Sequence, residues 1–376
     1  MPSEQLDRLQ RRLADARWPE RETVDDWSQG VPLEVVHDLC AHWRTRYDWR
    51  ATEDRLNRRL QHRVVVDGVA VHLFHQPSAS AAAVPLILTH GWPGSFFEFE
   101  RVLDRLSDPA GAGEHGEPAF HVVVPSLPGY GFSGRPATGW DVHRIARAWV
   151  EVMARLGYDR FLAAGSDWGT SVSTSIALQA PERLLGLHLV PPLVPATPQD
   201  GSALTEGEQR ALDELNERTR TSSAYSAVHA TRPQTIGYSL VDSPVGLAAW
   251  LLEKLWTWTD HPGDLYAVLS RDQVLDDLSL YWLTGTGASS ARLYWHSIDQ
   301  VTRWFTDSVD DTIAVPTGAT VFPREVPHPS RRLAERRFSR IVHWGEPERG
   351  GHFGAWEQPD LFVEEVRATT RALGTG

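Results

Sequence analysis

The sequence predicts an α/β fold, in which a mostly parallel central sheet flanked by helices is interrupted by a helical insert. Three features predict it. Between residues 80 and 195, short continuous apolar runs alternate with helical patterns, which is how strands buried on both faces read. From 196 to 305 the strand rhythm stops and the pattern turns helical. After 312 the strand pattern resumes, and one more helix closes the chain.

Residues 1–60 carry amphipathic helices. Leu6, Leu9, Leu13 and Trp18 recur at helical spacing among charges, and a second helix runs from about Leu33 to Tyr47. RVVVDGVAVHLFH (63–75) reads as a hairpin, because two β-branched runs flank the two-residue turn signal Asp67-Gly68. Strands follow at PLILTH (85–90), FHVVVP (120–125), RFLAAG (160–165) and LLGLHLV (184–190). Helices occupy 142–157 and the stretch from about Gly169. The helical insert is interrupted by Pro233, Pro244 and Pro262, and holds twelve aromatic residues from Tyr225 to Phe305. Strands return at 312–323 and 340–344, and PDLFVEEVRATTRAL is the final helix. The chain thus divides into an N-terminal helical meander with the first hairpin (1–76), a first core part (77–195), a helical lid (196–305) and a second core part (306–376).

Composition narrows the function. With 376 residues, 41% of them hydrophobic, the chain can bury a large core, and 23% charged residues are ordinary for a folded protein. A net charge of −12 repels phosphate backbones and argues against a nucleic-acid partner. The single cysteine, Cys40, excludes an internal disulfide or a cysteine-rich zinc site. No apolar run approaches a membrane span, and the charged opening MPSEQLDRLQRRLADARW is no secretory signal, so a soluble cytoplasmic protein is expected. Lys254 is the only lysine, a bias toward arginine that carries no chemistry by itself. Sixteen tryptophans against eight tyrosines suit either core packing or an aromatic-lined pocket.

The decisive motif is Gly165-Ser166-Asp167-Trp168-Gly169, placed where a buried strand turns into a helix. Small residues two before and two after the centre permit the sharp turn of an α/β-hydrolase nucleophile elbow, with aspartate in the usual place of serine. An aspartate can also simply cap a helix. As a nucleophile, serine on a saturated carbon would leave an ether, a dead end. An aspartate leaves an alkyl ester whose carbonyl water can attack. The substitution therefore points to epoxide opening or dehalogenation. His90-Gly91-Trp92-Pro93-Gly94-Ser95 follows the strand at 85–90, in the loop that supplies one oxyanion N–H in this fold. The donors are then the backbone N–H groups of Trp92 and Trp168, although HGWPGS also suits a plain turn. The base should be His352, in a glycine-rich loop after the last strand; His343 lies within a strand, and His90 precedes the nucleophile and reads as structural. Its orienting acid is left open among Glu325, Asp310, Asp311, Glu346 and Glu348.

HGWPGS, GSDWG, VDSPVGLAAW, FPREVPHP and RGGHFGAWEQPD together resemble the microsomal-type epoxide hydrolases, including the juvenile hormone enzymes. The resemblance runs over nearly the whole chain, including the N-terminal meander. It implies an α/β-hydrolase fold and a soluble bacterial member, since the membrane anchor of the animal enzymes has no counterpart in this sequence. It implies Glu325, of the F-P-x-E motif, as the acid that orients His352. It implies Tyr225 and Tyr294 as ring-opening acids, leaving Tyr238 and Tyr281 as packing. The implied reaction is hydrolysis of a bulky, aromatic or polycyclic epoxide to a vicinal diol, with the twelve lid aromatics as an apolar wall. It needs water but no cofactor and no metal. Roles in detoxification or natural-product biosynthesis both fit, and homodimers occur among such enzymes. The alternative is a haloalkane dehalogenase using the same aspartate. A serine esterase is disfavoured because Ser166 is off the apex, and an inert binding protein because no triad member is missing.

Overall fold

Eight strands form one sheet in the computed structural model, which describes residues 1–198, 202–306 and 311–374. They are β1 (Gln61–Val66), β2 (Val69–Gln76), β3 (Val84–Thr89), β4 (Phe120–Pro125), β5 (Phe161–Ser166), β6 (Leu184–Val190), β7 (Thr317–Thr320) and β8 (Ile341–Gly345). The spatial order is β1-β2-β4-β3-β5-β6-β7-β8. β2 runs antiparallel to both β1 and β4, and every pairing from β4 onward is parallel. The β1–β2 hairpin closes with Val66 opposite Val69. Asp67 and Gly68 both have positive φ, +47° and +78°, as that tight turn requires.

Alternation along the strands separates two apolar layers. Ile87, Val123 and Ala163 face one layer, with helices Val142–Arg155 and Trp168–Gln179. Leu86, Leu88, Val122, Val124, Leu162 and Ala164 face the other, with helices Leu103–Ser107 and Pro359–Leu373. Among the described residues, six α-helices lie between β6 and β7: Glu206–Ser222, Ala224–Thr231, Pro233–Asp242, Pro244–Trp258, Arg271–Thr284 and Gly287–Thr306. The N-terminal segment fastens onto these insert helices. Trp27 stacks on Trp256 at 4.1 Å, Trp43 Nε1–H donates to Ser279 Oγ at 2.8 Å, and Arg55 pairs with Asp276 at 2.6 Å. Among the described residues, no helix is long and apolar enough to cross a membrane.

Three local expectations need correcting. The strand expected over 312–323 shrinks to Thr317–Thr320, with an isolated bridge from Ile313 to Phe338. Pro316 has no N–H for the ladder, which explains the late start. Pro233 and Pro244 do not break helices; each occupies a first helical turn, where a missing N–H costs nothing. The first helix ends at Ala14, so Trp18 is not on it and instead leans on His37.

Candidate active site

Asp167 sits at the turn from β5 into helix Trp168–Gln179 with φ +51° and ψ −122°. That backbone is strained for a residue with a Cβ and must be held by its surroundings. A Cβ on Gly165 would lie 2.4 Å from the Gly169 carbonyl carbon, and one on Gly169 only 1.8 Å from the Thr89 carbonyl oxygen. The flanking glycines are therefore steric requirements of the turn. Trp92 N–H donates to Asp167 Oδ1 at 2.8 Å, and Trp168 N–H also bonds this carboxylate. A Cβ on Gly91 would fall 2.1 Å from Asp167 Oδ1, so the loop approaches this closely only through glycine. Burial pushes the Asp167 carboxyl above its ordinary range, while His352 and the two N–H groups pull it back.

His352 follows β8 in the glycine-rich loop. Its Nε2 lies 3.6 Å from Asp167 Oδ2 and its Nδ1 3.0 Å from Glu325 Oε1. A proton on Nδ1 directed at Glu325 leaves Nε2 free to accept one. Burial favours the neutral ring, but the Glu325 carboxylate, by charge and hydrogen bond, and then Asp167 outweigh it and lift His352 to about 9. The loop is tied down by Glu357, which accepts from the N–H groups of Gly351, Phe353 and Asp260 at 2.8–2.9 Å. His352 N–H itself donates to the Trp258 carbonyl at 2.9 Å.

Tyr225 and Tyr294 come from helices Ala224–Thr231 and Gly287–Thr306. Tyr225 stacks on Trp92 at 5.0 Å, Tyr294 meets Trp168 edge-on at 4.7 Å, and the two phenol rings lie 5.8 Å apart. Burial raises both phenols, helped by the Asp167 charge, so both remain protonated donors. A cavity of about 160 Å³ is lined by Asp167, Tyr225, Tyr294 and His352, with Phe305 and Leu193 among its apolar walls.

Some expectations of the sequence are not met. Among the described residues, three of the twelve insert aromatics line this cavity: Tyr225, Tyr294 and Phe305. The rest do other work. Trp304 is buried beneath the Arg337 guanidinium, and Tyr281 donates its hydroxyl to the Gly94 carbonyl at 2.9 Å. Tyr238 faces solvent rather than the core, at 70% exposed. Other candidates are engaged elsewhere. His90 Nε2 accepts from Leu127 N–H while Nδ1 meets the Gly91 carbonyl, and burial lowers this ring to about 4. His343 pairs with Glu365, Asp311 with Arg337, and Glu346 accepts from Trp344. Asp310 lies outside the described residues.

Sequence reasoning missed several groups. Lys254 is buried, with Nζ 4.5 Å above the Tyr225 ring. Arg218 stands 5.6 Å over the Trp258 ring and acts electrostatically on Glu325 and Tyr225. Glu98 is buried beneath the Gly91–Gly94 loop. A lone lysine on an apolar helix was a readable signal; Glu98, inside FFEFE, gave none. Among the described residues, no cluster of three or more histidine, cysteine or acidic side chains is arranged to hold a metal.

Two family models match the chain: "Epoxide hydrolase N terminus" over residues 1–99 and "alpha/beta hydrolase fold" over 84–259. A Stigmatella aurantiaca protein, named only provisionally as an epoxide hydrolase, is 48% identical across 99% of this chain and 84% of its own length. Epoxide hydrolase 1 of Sus scrofa is 34% identical, covering 90% of this chain and 80% of that protein. Among solved structures, the juvenile hormone epoxide hydrolase of the silkworm Bombyx mori superposes with a TM-score of 0.88 at 27% identity, over 100% of this chain and 92% of that one.

Proposed function

Because the chain belongs to the epoxide hydrolase family, we propose that it converts an epoxide and water into a vicinal diol through an alkyl ester on Asp167. The observation that carries this reading is the convergence on one cavity of Asp167, His352 and two phenols. The phenols separate it from the haloalkane dehalogenase reading, because a departing alkoxide needs a proton and a halide does not.

In the proposed cycle Asp167 attacks a ring carbon from the side opposite the C–O bond. As that bond breaks, the oxygen takes a proton from Tyr225 or Tyr294. The ester no longer carries the Asp167 charge, so His352 loses one of the two anions that hold its proton. It passes that proton to the tyrosinate and becomes a neutral base. His352 then deprotonates water, which attacks the Asp167 carbonyl carbon while Trp92 and Trp168 N–H groups hold the oxyanion. Collapse breaks the ester C–O bond, the leaving oxygen takes the proton of the hydroxyl that water added to the Asp167 carbon, and the diol departs. Asp167 carboxylate, protonated His352 and both phenols are restored. Glu325 fixes the His352 tautomer, and Lys254 over the Tyr225 ring favours the transient tyrosinate electrostatically. Residues 196–305 act as the lid that brings the phenols over the nucleophile. A cytoplasmic location is part of this reading and rests on the single, buried Cys40, which leaves no internal disulfide to form.

The test is a panel of aryl and aliphatic epoxides assayed for diol, with small haloalkanes alongside. Diol from epoxides without halide release is expected. Halide release without diol would favour the dehalogenase.

A further inference from the structure

Glu98 stands on the short turn of helix Phe96–Phe99 that follows the HGWPGS loop. It is 3% exposed, and among the described residues it forms no ion pair. Its partners lie on two different segments of chain. Gly91 N–H donates to its carboxyl, and Ser166 Oγ lies 3.3 Å from Oε2. Gly91 immediately precedes Trp92, and Ser166 lies two residues before Trp168. The two segments that Glu98 joins are therefore those that carry the two N–H groups on Asp167. The loop makes room for this: a Cβ on Gly94 would lie 1.8 Å from Glu98 Oε1.

We propose that Glu98 is a positioning residue, whose carboxyl clasps Gly91–Trp92 to Ser166–Trp168 and so fixes both oxyanion donors. This role rests on the ester mechanism above. The surroundings favour the neutral form. Burial raises the carboxyl to about 8; His352 and the Gly91 N–H oppose that, while Asp167 and Asp277 add to it. Tyr281, whose hydroxyl donates to the Gly94 carbonyl, lies within electrostatic reach of Glu98, and an ionised Glu98 would raise it further. Neutrality suits the site, because an anion here would face the oxyanion that forms on Asp167. Ionisation of Glu98 should then slow ester hydrolysis as pH rises past about 8. This limb is separate from that of His352, whose loss of a proton promotes the same step.

The test is pre-steady-state measurement of ester formation and ester hydrolysis against pH, by tryptophan fluorescence and intact mass. Glu98→Gln keeps a neutral group of the same shape. It should hydrolyse the ester within a few-fold of wild type at pH 7 and lose the alkaline limb. Glu98→Ala should slow both half-reactions, on the order of 10²-fold for a loosened oxyanion site. An alkaline limb that persists unchanged in Glu98→Gln would overturn the proposal, as would wild-type rates in Glu98→Ala. Should Glu98→Ala fail to fold, the Glu98→Gln profile still decides. If wild-type protein forms no ester from any epoxide, the mechanism itself fails and this role with it. That outcome is told apart because the unaltered protein is then silent.

Discussion

At the scale of single residues, the assignments differ in which half of the reaction they govern, so kinetics can separate them. Asp167→Asn replaces an anionic nucleophile by an amide and should abolish turnover. His352→Gln should still be alkylated but should not release its ester, so intact mass should show protein plus epoxide accumulating. Rapid ester release by this variant would remove His352 from the mechanism. His90→Gln should trap nothing, because both ring nitrogens of His90 are engaged with backbone groups. Tyr225→Phe and Tyr294→Phe should each slow ester formation and leave hydrolysis nearly unchanged. One strong oxyanion donor contributes on the order of 10²–10³ in rate, and two donors sharing one oxygen make the double change worse than either single change suggests. A double phenylalanine variant alkylated at wild-type rate would show that the phenols are only wall.

At the scale of elements, the elbow was legible and its supports were not. Gly165 and Gly169 announce the turn because no other residue fits against Gly169 and Thr89, and that constraint is local enough to be written in five residues. His352 was legible from its place after the last strand. Glu325 was one of five acids until family motifs chose it, because which carboxylate meets a histidine depends on how distant strands are registered. Glu98 and Glu357 were invisible for the same reason: each is an acid beside aromatic residues, and only the fold shows that each meets backbone N–H groups. The aromatic insert misled, since most of its rings serve packing or the surface rather than the cavity. The join between insert and core yields a further prediction. Asp277, on helix Arg271–Thr284, accepts from Ser95 Oγ at 2.6 Å, and burial raises its carboxyl to about 8. A carboxyl raised on folding binds its proton more tightly in the folded state, so its contribution to stability falls as pH rises from about 4 to about 8. Asp277→Asn should match wild type near pH 4 and melt a few degrees higher at pH 8.5. Melting curves that stay parallel across that range would show that Asp277 is already ionised in the folded protein.

At the scale of the whole molecule, the proposed cycle draws half of its groups from the sheet and half from the insert. The sheet's carboxyl edge presents Asp167, Glu325 and His352, and the helices between β6 and β7 bring Tyr225 and Tyr294 over them. The N-terminal segment reaches those helices through Trp27, Trp43 and Arg55, while its Trp49 and Leu56 join an apolar layer of the sheet, so it ties the half that carries the phenols to the core. Trp27→Ala should accordingly affect ester formation before it affects hydrolysis, and a variant slowed equally in both would contradict that division. The covalent ester is the claim on which the rest depends. A single turnover in ¹⁸O-water, with enzyme in excess over epoxide, tests it most directly. The label is expected in the Asp167 carboxylate, with the first diol formed unlabelled. Label in that first diol, with none in Asp167, would mean that water attacks the epoxide itself.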